Sequence, residues 1–116
     1  METPKSFSEN RPWGAELWFT IDTPSKVKIL TVNPGEAFSL QYHHNRDEFW
    51  RVLSGNGIVE IGDKTVEARA GDEYFVPRES KHRVTGGTEP LVFLELGQGE
   101  FDEKDIVRLE DKYGRV

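Results

Sequence analysis

The sequence contains no cysteine and only three histidines among its 116 residues. Without cysteine, disulfides and thiolate metal ligands are excluded, and the redox compartment stays open. No apolar segment approaches the length of a membrane-spanning helix, and the N-terminus from Met1 to Lys5 has no apolar signal-peptide core. We therefore expect a cytoplasmic protein with no membrane partner.

Positive charge is the scarcer sign, with 15 Lys and Arg against 21 Asp and Glu, which gives a net charge of −6. An acidic chain with both signs interspersed argues against a surface for nucleic-acid phosphates or anionic lipids. We expect no nucleic-acid partner. A phosphorylated small molecule, held by a few local cations, remains compatible with this balance.

Glycine and proline divide the chain into short segments rich in β-branched and aromatic residues, which favour strands. Closely spaced strands of this kind predict an all-β sandwich or barrel. The length suits a single domain, which we assign to residues 11–116. Residues 1–10 are predicted as a polar, poorly ordered tail, and residues 102–112 as a short helix or an extended arm. The predicted strands are 15–21, 26–32, 37–43, 48–53, 57–61, 64–68, 73–76, 81–85 and 91–97.

Two separated stretches of the chain combine into a candidate site for one metal ion. In the first, Gln41 and His43 stand two apart, so that both point to the same face of a strand, and Glu48 follows a short polar turn. In the second, His82 follows a turn marked by glycine and proline. Two imidazoles, a carboxylate and an amide oxygen suit a divalent ion such as Zn, Mn, Co, Ni or Fe. This set leaves coordination positions open, as in a catalytic site.

Alternation along the first strand places Ser39 with Gln41 and His43, and places Phe38 and Tyr42 on the opposite face. We therefore predict that Phe38 and Tyr42 pack in an outer layer. His44 points away from the metal by the same alternation, and either a solvated histidine or a substrate role is open for it.

Four further side chains are candidates for substrate chemistry. Glu95 faces the same way as Leu91 and Phe93, so it is either an interior carboxylate that could act as a base or an exposed, ion-paired residue. Phosphate recognition needs Arg or Lys near the metal. Arg46 adjoins the ligand strand, whereas Lys81 adjoins His82 and is better explained as a solvated charge. Arg115 contributes only if the C-terminal tail folds back over the site.

The spacing of these motifs resembles the two signature motifs of the cupins, which form an antiparallel double-stranded β-helix, or jelly-roll barrel. Gln41 in place of the usual first histidine is similar to the phosphomannose isomerases. Three further segments resemble type II phosphomannose isomerases, in which this module is the C-terminal part of bifunctional mannose-1-phosphate guanylyltransferase/mannose-6-phosphate isomerases. These segments are Arg11-Pro12-Trp13-Gly14, the first-motif pieces Pro34-Gly35-Glu36 and Ser39-Leu40-Gln41, and the run from Asp105 to Arg115.

The resemblance covers about residues 11–116 and implies a ligand set of Gln41, His43, Glu48 and His82, with Arg46 and Arg115 in the active site. The chain departs from the family pattern at four positions. Asn45 and Phe49 stand where the family has histidine, Gly97 where it has glutamine, and Glu79 where glycine is usual. By analogy with cupins we also expect a homodimer, with Trp18 and Phe19 as a candidate contact.

The leading expectation is a metal-dependent mannose-6-phosphate isomerase that acts on a small-molecule sugar phosphate. Glu95 and Arg46 are its candidate catalytic residues, and Arg46, Arg115, His44 and Lys81 its candidate substrate ligands. One alternative is a non-catalytic cupin that binds a sugar or sugar nucleotide, which the departures at Asn45 and Phe49 and the absence of a guanylyltransferase half favour. A second is a metal-dependent oxygenase, against which the Gln41 ligand argues.

Overall fold

The computed structural model describes residues 5–20, 25–100, 102 and 104–115, and all regular structure in this part of the chain is β. Within these residues, no helix is long and apolar enough to cross a membrane. The eleven strands described are β1 (Lys5–Arg11), β2 (Gly14–Thr20), β3 (Ser25–Val32), β4 (Leu40–Tyr42), β5 (Arg46–Ser54), β6 (Asn56–Ile61), β7 (Lys64–Arg69), β8 (Glu73–Val76), β9 (His82–Gly86), β10 (Leu91–Gly99) and β11 (Val107–Glu110).

The strands form two antiparallel sheets that enclose the core between them. The larger sheet has the order β1-β2-β3-β10-β5-β8, and the smaller has the order β11-β4-β9-β6-β7. Each sheet keeps two edge strands, so the sheets form a sandwich and do not close into a barrel. The all-β prediction is confirmed, and the expected jelly roll is open rather than closed.

Strand alternation determines which side chains meet in the core. Leu91, Phe93, Glu95 and Gly97 of β10 are buried, and the residues between them are only half-buried. Trp50 and Val52 of β5 are 1% and 2% exposed and lie on the same inner face. Full burial of each such apolar side chain contributes about 1.5–3 kcal/mol. The same inner face carries the polar residues of the site at one end of the sandwich.

The N-terminal segment corrects one prediction. Residues 5–10, expected to belong to a poorly ordered tail, instead belong to β1, which pairs along its whole length with β2. Phe7 anchors this hairpin because its ring stacks on Trp18 at a centroid distance of 5.6 Å. Trp18 is therefore 3% exposed and covered within its own chain, which argues against it as a dimer contact. The side chain of Phe19 lies outside the described residues, and the homodimer stays a prediction.

Phe38 is also placed differently from the prediction. Regular strand β4 begins only at Leu40, so the alternation assumed for 37–43 does not extend back to Phe38. Its ring turns into the core, where it meets Trp13 and Trp50 edge to face at 5.8 and 6.4 Å. Tyr42, in contrast, is half-buried, with its ring edge-on to His44 at 5.3 Å.

The C-terminal segment forms an extended arm, not a helix. Val107 and Arg108 pair with Tyr42 and Gln41, so β11 adds an edge strand beside β4. Beyond it, Tyr113 packs against the core and donates a short hydrogen bond to Glu36. The arm thereby covers the end of the sandwich at which the candidate ligands lie.

Candidate metal centre

Three buried side chains from the two sheets converge at one end of the sandwich. His43 directly follows β4, Glu48 lies on β5, and His82 begins β9. Each is 2% exposed. One potential ligand atom from each lies within 4.8 Å of the others. Residues separated by nearly forty positions meet because Gln41 on β4 is paired directly with His82 on β9.

The spacing of the ligand atoms leaves room for an ion between them. His43 Nε2 lies 3.5 Å from Glu48 Oε1, and His82 Nε2 lies 3.8 Å from Glu48 Oε2. Glu48 Oε1 and His82 Nε2 are buried and have no hydrogen-bond partner among the described residues. A buried lone pair without a partner is costly, and a divalent ion at about 2.0–2.2 Å would satisfy both. The residues present therefore fit a metal ion.

Outer hydrogen bonds orient the ligands toward the same point. His43 Nδ1 donates to the carbonyl oxygen of Asp105 at 2.6 Å, and His82 Nδ1 donates to that of Ser80 at 3.0 Å. In both rings the Nε2 lone pair then faces the cluster, as metal ligation requires. Trp50 Nε1 donates to Glu48 Oε2 at 3.1 Å and holds the carboxylate in place.

The protonation states of the cluster follow from its burial. Burial, assisted by the charge of Arg46, lowers the pKa of His43 to about 4. Burial also lowers the pKa of His82 to about 4, so both imidazoles are neutral near pH 7 and able to ligate. Burial, with the neighbouring Glu95 carboxylate, raises the pKa of Glu48 well above its ordinary value. A bound divalent ion would favour the ionised form of Glu48.

Gln41, the fourth predicted ligand, lies beside the same cluster. Ser39 Oγ donates to Gln41 Oε1 at 2.6 Å, and Gln41 Nε2 lies 3.5 Å from His43 Nε2. Half a turn of the amide exchanges its oxygen and nitrogen, and the Ser39 hydroxyl can accept as well as donate. The turned amide would present Oε1 to an ion while Nε2 donates to Ser39.

Arg46 lies over the cluster and contacts two candidate ligands. Its Nη2 donates to His43 Nε2 at 3.0 Å, and its Nε lies 3.5 Å from Glu48 Oε1. The guanidinium thus takes the His43 lone pair that a metal ion would use. Arg46 and an ion cannot share that lone pair, so Arg46 must turn away when the ion binds.

A cavity of about 150 Å³ opens over the cluster, and the C-terminal arm forms part of its wall. Its lining includes Glu95, Glu16 and Asp105. Cations outnumber these carboxylates, which gives the cavity an excess of positive charge that the acidic composition of the whole chain does not suggest. The cationic residues in the lining are Arg11, Lys28, Arg46, Arg108 and Arg115.

Glu95 is interior, which decides between the two alternatives left open by its sequence. It is 8% exposed, and one of its carboxylate oxygens lies 3.6 Å from Lys28 Nζ. Burial opposes its ionisation, but the charges of Lys28 and Arg46 outweigh burial and lower the pKa of Glu95. Glu95 is therefore an ionised carboxylate that lines the cavity, and it interacts with the neighbouring Glu48.

The remaining predicted substrate residues fall into two groups. Arg115 lines the cavity, as expected if the tail folds back, and its guanidinium is held by Asp111 at 2.7 and 3.1 Å. His44 and Lys81 are exposed and do not belong to the cavity lining. A direct substrate contact for His44 and Lys81 therefore gains no support from the cavity and stays a prediction.

Sequence reasoning missed five charged residues of the lining, which are Arg11, Glu16, Lys28, Asp105 and Arg108. The sequence around Lys28 does not indicate a buried position. Only the cross-strand pairing with Glu95 shows that the Lys28 side chain lies on the inner face of the sheet, opposite a carboxylate. Asp105 and Arg108 could not be assigned to the site from sequence, because they reach the cavity only through the pairing of β11 with β4.

None of the four departures from the family pattern is part of the cavity lining. Asn45 is exposed, and Phe49 lies on the outer face of the larger sheet beside Leu96 and Phe75. Gly97 is different, because it is buried on the inner face directly opposite Glu48. Glu79 adopts a left-handed backbone conformation with φ of 67°, which explains why glycine is usual there.

Comparison with known proteins gives matches of sequence. Residues 2–111 match the family described as "Mannose-6-phosphate isomerase C-terminal". The alginate biosynthesis protein AlgA of Pseudomonas aeruginosa is 40% identical over 117 residues, which cover 99% of this chain and 24% of AlgA. A mannose-1-phosphate guanylyltransferase of Escherichia coli is 39% identical over 108 residues, which cover 90% of this chain and 23% of that enzyme. The chain thus spans about a quarter of the length of these relatives.

Solved structures give matches of fold. The capsular polysaccharide assembling protein CapF of Staphylococcus aureus has a TM-score of 0.75 at 22% identity, covering 91% of this chain and 34% of CapF. The Streptomyces protein PAC13, solved with uridine, has a TM-score of 0.78 at 20% identity, covering 91% and 86% of the two chains. Likeness at this identity concerns the fold alone, and it agrees with the all-β fold of two antiparallel sheets described above.

Proposed function

Because the chain belongs to the family of mannose-6-phosphate isomerase C-terminal domains, we propose that it is a metal-dependent sugar-phosphate isomerase. The concrete reaction proposed is the interconversion of mannose 6-phosphate and fructose 6-phosphate. The ion is divalent, and Gln41, His43, Glu48 and His82 are its proposed ligands.

One observation carries this proposal: a buried carboxylate with a lowered pKa, Glu95, lines the same cavity as His43 and His82 of the candidate metal cluster. Aldose–ketose isomerisation needs a base that moves one proton and a positive centre that stabilises the charge developing on two adjacent oxygens. A divalent ion bound in the cluster would supply that positive centre as a Lewis acid.

The chain's own residues account for the movement of the proton. Glu95 removes the proton from C2 of the open-chain aldose, and the electrons of that C–H bond form the C1–C2 double bond. The hydroxyl proton of O2 passes to O1, and Glu95 returns its proton to C1, which leaves a ketone at C2. No external oxidant, reductant or co-reactant is consumed. Lys28, at 3.6 Å from Glu95, keeps the carboxylate ionised between turnovers.

The positive side chains of the cavity give the reaction its substrate class. Arg46 lies over the candidate ligands and lines the cavity. When the ion and the sugar oxygens arrive, Arg46 would turn away from His43 but keep its charge in the cavity, next to the reacting carbons. Arg115 is held at the cavity wall by Asp111. Arginine donors of this kind match the oxygens of a phosphorylated sugar.

A coupled assay for fructose 6-phosphate formed from mannose 6-phosphate, with added Mn, Co or Zn, tests the proposal. We expect turnover that depends on the metal, is abolished in His82→Ala, and falls about 10²–10⁴-fold in Glu95→Gln. Glu67→Gln is the matched control, because Glu67 is exposed on β7 and should leave turnover unchanged.

Two results would contradict the isomerase proposal. Binding of the sugar phosphate without turnover, whichever metal is added, would instead favour a binding module. Metal-dependent uptake of oxygen in place of isomerisation would favour an oxygenase. Elemental analysis of the purified protein separates both results from a simple loss of metal during purification.

A further inference from the structure

The cations that line the cavity are matched by carboxylates or ligand atoms, with one exception. Arg11 pairs with Glu16, and Lys28 lies within 4 Å of both Glu16 and Glu95. Arg46 contacts the candidate metal ligands, and Arg115 pairs with Asp111. Arg108 has no side-chain hydrogen bond and no ion pair within the described residues, and its Nε is buried.

The position of Arg108 directs its side chain toward the metal cluster. Arg108 on β11 is the direct cross-strand partner of Gln41 on β4, so the two side chains share one face of the smaller sheet. Gln41 lines the cavity, and Arg108 lines it as well. The pairing shifts register between Arg108 and Glu110, and β11 continues to Glu110 beside Leu40.

Arg108 as a whole is half-buried, but its Nε is buried and has no hydrogen-bond partner among the described residues. A polar atom shielded from water costs free energy unless a hydrogen-bond acceptor or an opposite charge compensates it. The neighbouring arginines each have such compensation within the chain. While Arg46 contacts the candidate metal ligands, Arg108 is therefore the lining cation without a matching anion among the described residues, and a bound ligand would supply one.

We propose that Arg108 binds the phosphate group of the substrate, as the anion anchor of a phosphate monoester whose carbonyl end reaches the metal cluster. The proposal rests on the proposed isomerase function and adds to it the residue that selects phosphorylated over unphosphorylated sugars. The planar guanidinium donates two parallel hydrogen bonds to phosphate oxygens. Arg115, already paired with Asp111, contributes less net charge to this recognition.

Binding, measured separately from turnover, tests this assignment. Isothermal titration calorimetry on the metal-loaded protein compares mannose 6-phosphate, mannose and inorganic phosphate for wild type, Arg108→Met and Arg108→Lys. Arg69→Met is the matched control, because Arg69 lies exposed on β7, the opposite edge strand of the same sheet, and the charge change is the same. A charge-assisted hydrogen bond predicts that Arg108→Met weakens mannose 6-phosphate binding about ten- to a hundred-fold.

The variants should also separate recognition from a structural role. We expect unchanged mannose affinity in Arg108→Met, an intermediate loss in Arg108→Lys, and wild-type behaviour in Arg69→Met. Without ligand, Arg108→Met should unfold at the wild-type temperature or above, because an uncompensated charge has been removed. Mannose 6-phosphate should then raise the unfolding temperature of wild type but not of Arg108→Met.

Three outcomes would overturn the assignment. They are equal affinity of wild type and Arg108→Met for mannose 6-phosphate, parallel loss of mannose and mannose 6-phosphate binding, and unfolding of Arg108→Met well below wild type without ligand. Absence of turnover alongside phosphate-selective binding through Arg108 would instead contradict only the isomerase function. The two proposals can therefore fail independently.

Discussion

His43 and Asp105 are 62 positions apart in the chain and are joined by a hydrogen bond of 2.6 Å from the imidazole Nδ1 to the backbone carbonyl oxygen. The carboxylate of the same aspartate accepts hydrogen bonds from the backbone nitrogens of His44 and Asn45 at 2.9 and 3.0 Å. Asp105 thus fastens the C-terminal arm to the turn that follows the ligand strand. The orientation of one candidate metal ligand depends on a segment far along the chain.

Asp105→Ala should therefore weaken metal binding without removing any ligand. The variant keeps the carbonyl group but loses the two hydrogen bonds that position it, and loss of such outer support typically lowers metal affinity about 10–100-fold. Competition with a chromophoric chelator measures the affinity. Asp63→Ala, at an exposed turn, is the control and should bind metal as wild type does. Equal metal affinity in Asp105→Ala and wild type would show that the arm does not position His43.

Arg46 offers a second prediction, in which metal binding and turnover change in opposite directions. Its guanidinium donates to the lone pair of His43 that an ion needs, so Arg46→Gln should bind Mn or Zn at least as tightly as wild type. Loss of its positive charge near the reacting carbons should lower turnover, by about 10-fold or more. Chelator competition and the coupled isomerase assay check the two halves. Weaker metal binding in Arg46→Gln would mean that the guanidinium supports the ligands instead of competing with the ion.

The convergence of His43, Glu48 and His82 could be predicted from sequence because its signal is local. His43 stands two residues after Gln41, and Glu48 and His82 each follow a recognisable turn, so the spacing indicated that they would meet. Gln41 as a fourth ligand stays a prediction. The sequence did not decide whether Glu95 is buried. Alternation along β10 shows that Glu95 shares a face with Leu91 and Phe93, but it does not show which face of the strand is interior.

The rest of the site depends on pairing between distant strands, which spacing does not encode. Lys28 becomes a partner of Glu95 only through the register of β3 and β10. Arg108 reaches the cavity only because β11 pairs with β4. Phe38 was assigned to the wrong layer because alternation was extended beyond the first regular residue of β4. Strand β1 was missed because its segment is mostly polar. Its pairing with β2 and the stacking of Phe7 on Trp18 are visible only in the structure.

The Asp111–Arg115 pair should stabilise the fold in a pH-dependent manner. The hydrogen bonds from Arg115 lower the pKa of Asp111 from an ordinary 3.8 to about 2. Because the pKa of Asp111 is lower in the folded protein, the carboxylate of the unfolded chain is protonated first as the pH falls. The stabilisation is therefore complete above about pH 5 and is lost as the pH falls from 3.8 toward 2. Because Arg115 is partly exposed, we expect the contribution to be on the order of 1 kcal/mol.

Denaturant unfolding of wild type and Asp111→Asn between pH 3 and pH 7 measures this contribution. The difference in the free energy of unfolding should be constant near neutral pH and should shrink at the acid end. Asp47→Asn is the comparison, because Asp47 pairs with an exposed arginine, Arg78, and solvent screening should leave a smaller difference. A difference for Asp111→Asn that does not change with pH would rule out the ionised carboxylate as its source.

Glu79 provides a prediction about strain close to the site. Its φ of 67° is in the left-handed region, which costs a residue with a Cβ roughly 1–2 kcal/mol, and its backbone nitrogen donates to the carbonyl oxygen of His43 at 2.6 Å. Glu79→Gly removes the strain but adds conformational entropy to the unfolded chain, worth about 0.5–1 kcal/mol. We expect a net gain of about 0.5–1 kcal/mol in the free energy of unfolding, with metal affinity unchanged. Glu79→Ala keeps the Cβ and should show no such gain, so equal stabilisation by alanine and glycine would trace the effect to lost charge and not to backbone strain.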